Sequence, residues 1–137
     1  MSEANVDFVR NLFEGAAGMD KEALLAILPA AVAQAFTEDA VWMEDPSRAD
    51  QQVWRGHEGI CASWRRWLDQ WDEWSFEIGG IEDHGNQVLC VSREHARGAA
   101  SGAEVSATNH HVFTFRDGKI SRYEEFYDES AARAVLG

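Results

Sequence analysis

The chain has 137 residues, the size of one domain, and its 45% apolar content can fill a core, which excludes intrinsic disorder. Twelve Lys and Arg against 24 Asp and Glu give a formal charge of −12. A surface that acidic repels phosphate backbones and anionic lipid, so neither nucleic-acid binding nor electrostatic membrane docking is expected. No stretch approaches the ~20 apolar residues a membrane helix needs, and the opening MSEANVDFVR lacks the order of a secretion signal. Cys61 and Cys90 make neither a disulfide scaffold nor a zinc knuckle. A cytoplasmic protein is expected. Six tryptophans are many for this length, and a roomy pocket is one thing they can pack around.

In chain order, helices come first. Val6, Val9, Phe13 and Ala16 recur at helical spacing, which predicts a helix from about Glu3 to Ala17 that stops near Gly18. Asp20 suits the cap of a second helix, with a stripe of Leu24, Leu25 and Leu28 that Pro29 is expected to close. Val41 to Glu44 reads as a short strand ended by Asp45-Pro46. From Gly56 to about Trp71, the residues Ile60, Trp64, Trp67, Leu68 and Trp71 form one apolar helical face. The period then becomes two: Trp74, Phe76 and Ile78 alternate with Ser75, Glu77 and Gly79. Further strands are predicted over 88–97, 104–115 and 120–128, with Asp117-Gly118 as a hairpin turn and a closing helical turn over 129–136. The order predicts an α+β fold of one domain over 1–137, with a curved antiparallel sheet wrapped around N-terminal helices as a cone with an interior.

Strand alternation sorts the polar residues by face. Over 104–115 the odd positions, including Asn109, His111, Phe113 and Phe115, are the more apolar and should face inward. A three-residue turn with Gly118 left-handed would align Tyr123, Glu125 and Tyr127 with that face and put Asn109 opposite Glu125. Over 88–97 both faces begin apolar, so hydrophobicity does not choose between Arg93/His95 and Ser92/Glu94. The outward face, with Val112, Thr114, Ile120 and Phe126, is apolar enough to predict a homodimer packed sheet to sheet. Neighbouring His110 and His111 point to opposite faces, and no H-x-x-x-H, H-E-x-x-H or C-x-x-C spacing occurs, so no metal site is predicted. No dinucleotide, Walker or nucleophile-elbow motif is present either, and no cofactor is expected.

The helical first third, DAVWMEDP, the WRGHEGI helix start and FRDGKISRYEEFYD near the end resemble the NTF2-like superfamily, in particular its SnoaL-like branch. That branch includes polyketide cyclases, ketosteroid-isomerase-like proteins and limonene-epoxide hydrolase. The resemblance implies a conical pocket and a dimer through the outer sheet face. It also implies an acid at Glu125, where the cyclases and the epoxide hydrolase carry an Asp. Arg93 matches the hydrolase Arg, but His95 stands where its Asp would be, and Trp42 and Glu44 stand where its Tyr and Asn would be. That departure puts the hydrolase reaction in doubt and favours a cyclase or isomerase type.

The expected site therefore has Glu125, His95 and Arg93 as its catalytic group, with Glu125 as acid–base, His95 as relay and Arg93 holding charge. Trp42, Glu44, Asn109, His111, Tyr123 and Tyr127 would bind a hydrophobic or weakly polar small molecule. A carboxyl among aromatic rings has its pKa raised by desolvation, which suits proton transfer near neutral pH. The alternatives are a binding protein of the same fold without catalysis, and a structural ion pair between Arg93 and Glu125 in an assembly module.

Overall fold

Asp20 accepts a hydrogen bond from the Ala23 amide at 2.8 Å, and Gly18, at φ +80°, turns the chain between two helices. The computed structural model describes residues 2–137. In it, α1 (Ser2–Ala16) and α2 (Lys21–Ala35) lead into β1 (Phe36–Met43), and β2 (Val53–Arg55) into α3 (Gly56–Asp69). Then follow β3 (Trp71–His84), β4 (Gln87–Gly98), β5 (Glu104–Arg116), β6 (Lys119–Phe126) and the short α4 (Glu129–Ala134). Pro29 does not end α2, contrary to expectation. A proline inside a helix costs roughly 3 kcal/mol, but stopping there would leave Val32 and Ala35, both buried, out of the core. Trp71, predicted to finish the third helix, instead opens β3.

The strands form one six-stranded sheet in the order β2-β1-β6-β5-β4-β3. The sheet is antiparallel as expected in every pairing but one, β1 with β6, which is parallel. Bulges bend the sheet around the helices. One lies between Ile78 and Ile81, where the glycine pair Gly79-Gly80 carries the extra residue. The inner face, α1, α2 and α3 enclose the main core, which includes Val9, Val32, Ile60, Val88, Cys90, Phe113 and Ile120.

The β5–β6 hairpin corrects the expected register. Its turn is two residues, Asp117 at φ 53° and Gly118 at φ 80°, with Arg116 opposite Lys119. A bulge at Ser121 then adds one residue on β6, so Phe115 lies opposite Ile120 but Thr114 opposite Arg122. The two-residue turn plus the bulge keeps the parity of a three-residue turn while shifting the pairing by two. His111, not Asn109, therefore lies opposite Glu125.

The same bulge turns Ile120 inward, so it cannot belong to an outer apolar patch. On the outer side, Val112 and Phe126 are buried with Leu89 beneath Ala132, Val135 and Leu136 at the C-terminus. The patch that predicted a sheet-to-sheet homodimer is thus covered within the chain itself.

Candidate functional site

Between the three N-terminal helices and the inner sheet face lies a cavity of about 350 Å³. Its wall is a closed ring of aromatic contacts. Trp42 meets Trp64, Trp64 meets Trp74, and Trp74 meets Phe76. Phe76 meets Phe13 of α1, which meets Phe113. Phe113 meets Tyr123, and Tyr123 closes the ring by stacking on Trp42 with centroids 3.8 Å apart. The other ring contacts span 5.2–6.0 Å, and most are edge-on or tilted, the arrangements that aromatic quadrupoles favour.

Into this apolar wall the sheet sends carboxyl groups. Glu125 of β6 accepts from the Asp45 amide at 3.2 Å and, more distantly, from Asn109 Nδ2 at 3.5 Å. Burial raises its pKa to about 7; the Asp45 hydrogen bond opposes that rise, and the nearby Glu94 carboxyl adds to it. Glu94 of β4 is buried and accepts from Trp74 Nε1 at 2.9 Å and from Asn109 Nδ2. Burial raises its pKa too, against the pull of those two donors. One buried amide therefore serves both carboxyls, and its own Oδ1 has no hydrogen-bond partner. Asn109 sits behind the two carboxyls, outside the cavity lining.

The Asp45 amide is itself held in place. Asp45 is buried, and its side chain accepts from the Ser47 amide at 2.7 Å, from the Ser47 hydroxyl and from the Tyr127 amide. Those contacts clamp the loop after β1 onto the end of β6. Glu44, at the cavity edge, accepts from Trp54 Nε1 and the Gln52 amide, both at 3.0 Å. Arg48 is bonded to Asp50 by Nε and Nη2, each at 3.2 Å, and its guanidinium lies 5.9 Å from the Trp67 ring centroid.

A second polar set is uncharged. His111 bonds to Ser92 Oγ through Nε2 at 2.7 Å and to the Tyr123 hydroxyl through Nδ1 at 2.6 Å. Burial, with His110 adjoining, pushes its pKa down to about 3, so the ring is neutral and donates through one nitrogen while accepting through the other. Burial raises the Tyr123 phenol well above its ordinary range, and that hydroxyl stays protonated.

The structure brings Trp42, Glu44, His111, Tyr123 and Glu125 to the cavity and sets Asn109 behind them. Tyr127 lies beyond β6, 38% exposed and outside the lining. Arg93 and His95 are a correction: both lie on the outer face. The pairing of Cys90 with His111 and Ser92 with Asn109 turns the even residues of β4 inward, so the odd ones face out. There Arg93 lies opposite Glu77 on β3, and His95 bonds Ser106 at 2.9 Å with its Nε2 3.7 Å from Glu77. The residues missed by sequence reasoning are Ser92, Glu94 and Arg48. Alternation on β4 held no signal for the first two, because both of its faces begin with buried apolar residues. Among the described residues no group of three His, Cys, Asp or Glu side chains is placed to hold a metal ion.

The family model for the SnoaL-like domain matches residues 9–123. The chain belongs to this family. Solved structures agree on the SnoaL-like fold at low identity. A candidate SnoaL-like polyketide cyclase from Jannaschia sp. CCS1 superposes with a TM-score of 0.76 at 17% identity, over 98% of this chain and 92% of its own. TerC, co-crystallized with polyporic acid, gives 0.71 at 15% identity, over 97% and 98%. A protein of ketosteroid isomerase-like fold from Catenulispora acidiphila DSM 44928, in complex with trimethylamine, gives 0.64 at 17% identity, over 85% and 90%. No curated protein matches the sequence. Among the described residues of this SnoaL-like chain, no helix is long and apolar enough to cross a membrane.

Proposed function

We propose that the protein is a small-molecule enzyme that moves a proton within an apolar substrate by cofactor-independent acid–base catalysis, of the cyclase or isomerase type. The observation that carries this reading is Glu125: a carboxyl facing an aromatic cavity, with a pKa near 7 and a fixed donor on each side. A group with that pKa takes and returns protons at neutral pH with little free-energy cost in either direction. In the proposed cycle the Glu125 carboxylate removes a proton from one atom of the substrate. The resulting carboxylic acid then delivers that proton to another atom, which leaves an isomer or a closed ring and restores the carboxylate. Glu94 takes the partner role expected of His95, and the Ser92–His111–Tyr123 set offers neutral hydrogen bonds to a developing oxyanion. Other proteins of this fold have been crystallized with small organic molecules, which supports a small-molecule ligand here.

A second reading is binding without turnover. It is favoured by the hydrogen bonds that already occupy both oxygens of Glu94. Incubating the protein with a panel of apolar cyclic ketones in D2O separates the two. Enzyme-dependent deuterium incorporation at carbon that falls by ~10²–10⁴ in Glu125→Gln supports catalysis. Equal incorporation in that variant contradicts the role of Glu125, and tight binding with no exchange assigns the binding role.

A further inference from the structure

We propose that the ligand of this cavity is a hydrophobic amine held as its ammonium ion, with the cation enclosed by the aromatic ring and neutralised by Glu125 and Glu94. This rests on the reading of the cavity as a small-molecule site and adds the charge of the molecule that fills it. The helices over the cavity and β3 contribute no ionisable side chain to its lining. The sheet and the loop after β1 contribute Glu44, Glu94 and Glu125, with Asp45 just behind.

Against these acids stands one cation. Arg48 is already engaged by Asp50 through two nitrogens and has Glu44 at 4.0 Å. His111 is neutral, and the Tyr123 hydroxyl and Trp74 indole N–H are engaged by His111 and Glu94. The lining therefore has an excess of acidic groups and no cationic donor free for an anionic ligand. An anion would meet more acidic than cationic groups here, and the one guanidinium is already committed to Asp50.

The wall points the same way. Trp, Tyr and Phe rings attract a cation through their quadrupoles, most strongly where water is excluded. Arg48 over Trp67 is one such contact, already present at the rim. An ammonium placed beside Glu125 also changes that group. Its positive charge favours the carboxylate, so binding releases a proton from Glu125 and leaves it as a base. A neutral ligand of the same shape has no such effect. Asp45, Arg48 and Tyr127 also face Glu125 and act on it in both the free and the bound state.

The test is a matched set of probes: phenyltrimethylammonium, its uncharged isostere tert-butylbenzene, and benzenesulfonate. Binding is followed through the Trp indole N–H resonances, where Trp74 reports on Glu94 directly. At pH 8 the ammonium should bind at least tenfold more tightly than the hydrocarbon, and the sulfonate more weakly than both. The ratio should shrink at pH 5.5, where Glu125 is protonated, and in Glu125→Gln and Glu94→Gln, which should retain the hydrocarbon. Calorimetry at pH 7 in buffers of different ionisation enthalpy should show proton release with the ammonium alone. Binding of the hydrocarbon as tightly as the ammonium overturns this inference and leaves the proposed function intact. Binding of none of the three overturns both.

Discussion

The two faces of β4 handle carboxylates in opposite ways. On the outer face, Glu73 pairs with Arg97 at 3.1 Å and Glu77 with His95 at 3.7 Å, all in contact with water. On the inner face, Glu94 and Glu125 are held by an indole, an amide side chain and a backbone N–H, with no cation bonded to either. Cationic partners keep an acid ionised, and solvent keeps the energy of the pair small. Neutral donors in a largely apolar cavity leave the proton competitive with the charge. The inner face is therefore where proton chemistry is possible, and the outer face is where the acids stay paired and ionised.

The difference between the two faces has its largest consequence in the pH dependence of stability. Glu125 has its folded pKa raised from 4.5 to about 7, so the folded state holds this proton more tightly than the unfolded chain does. The destabilisation is absent below about pH 4.5 and complete above about pH 7. At about 1.4 kcal/mol per pK unit, this group should lower stability by roughly 3 kcal/mol across that window. Urea unfolding of the wild type and Glu125→Gln between pH 5 and 8 measures it. The variant should lose most of that slope, and parallel curves would contradict the assignment.

Asn109 is the donor that both inner carboxyls share. Replacing it with Leu leaves two buried carboxyls without their shared donor, a loss of about 1–3 kcal/mol. The loss should be greater at pH 8, where Glu125 is ionised, than at pH 5. Thermal melts at the two pH values give the difference, and an equal loss at both would mean that the amide does not serve the charged forms.

The outer half should be nearly silent. Arg93→Ala and His95→Ala should each change stability by no more than about 0.5 kcal/mol. Neither should alter the pH dependence of ligand binding or turnover. A large effect of either on turnover would return the outer face to the mechanism.

The contrast also shows what the sequence made legible. Alternation along β5 and β6 was legible because one face of each carries the large apolar residues, and it correctly set Glu125, Tyr123, Asn109 and His111 on the inner side. On β4 alternation was uninformative, since Leu89 on the outer face is as deeply buried as Val88 and Cys90 on the inner. The C-terminal segment that covers Leu89 is distant in sequence, and nothing local to β4 marks it. Likewise the bulge at Ser121 follows from the bending of the sheet and has no sequence signature, so the pairing was misread by two positions while the face was right. The aromatic ring depends on α1 and α3 meeting β1, β3, β5 and β6, a tertiary arrangement that residue spacing cannot contain. The count of tryptophans pointed to a pocket without saying which of them line it.

The central claim is that Glu125 is a proton-exchanging group at neutral pH because it is buried against Glu94 with only neutral donors. The most direct measurement is a titration of the Glu125 side-chain carboxyl by ¹³C NMR, in the wild type and in Glu94→Gln. A midpoint near 7 that falls when Glu94 is neutralised is the predicted result. A midpoint near 4.5 in the wild type would contradict it.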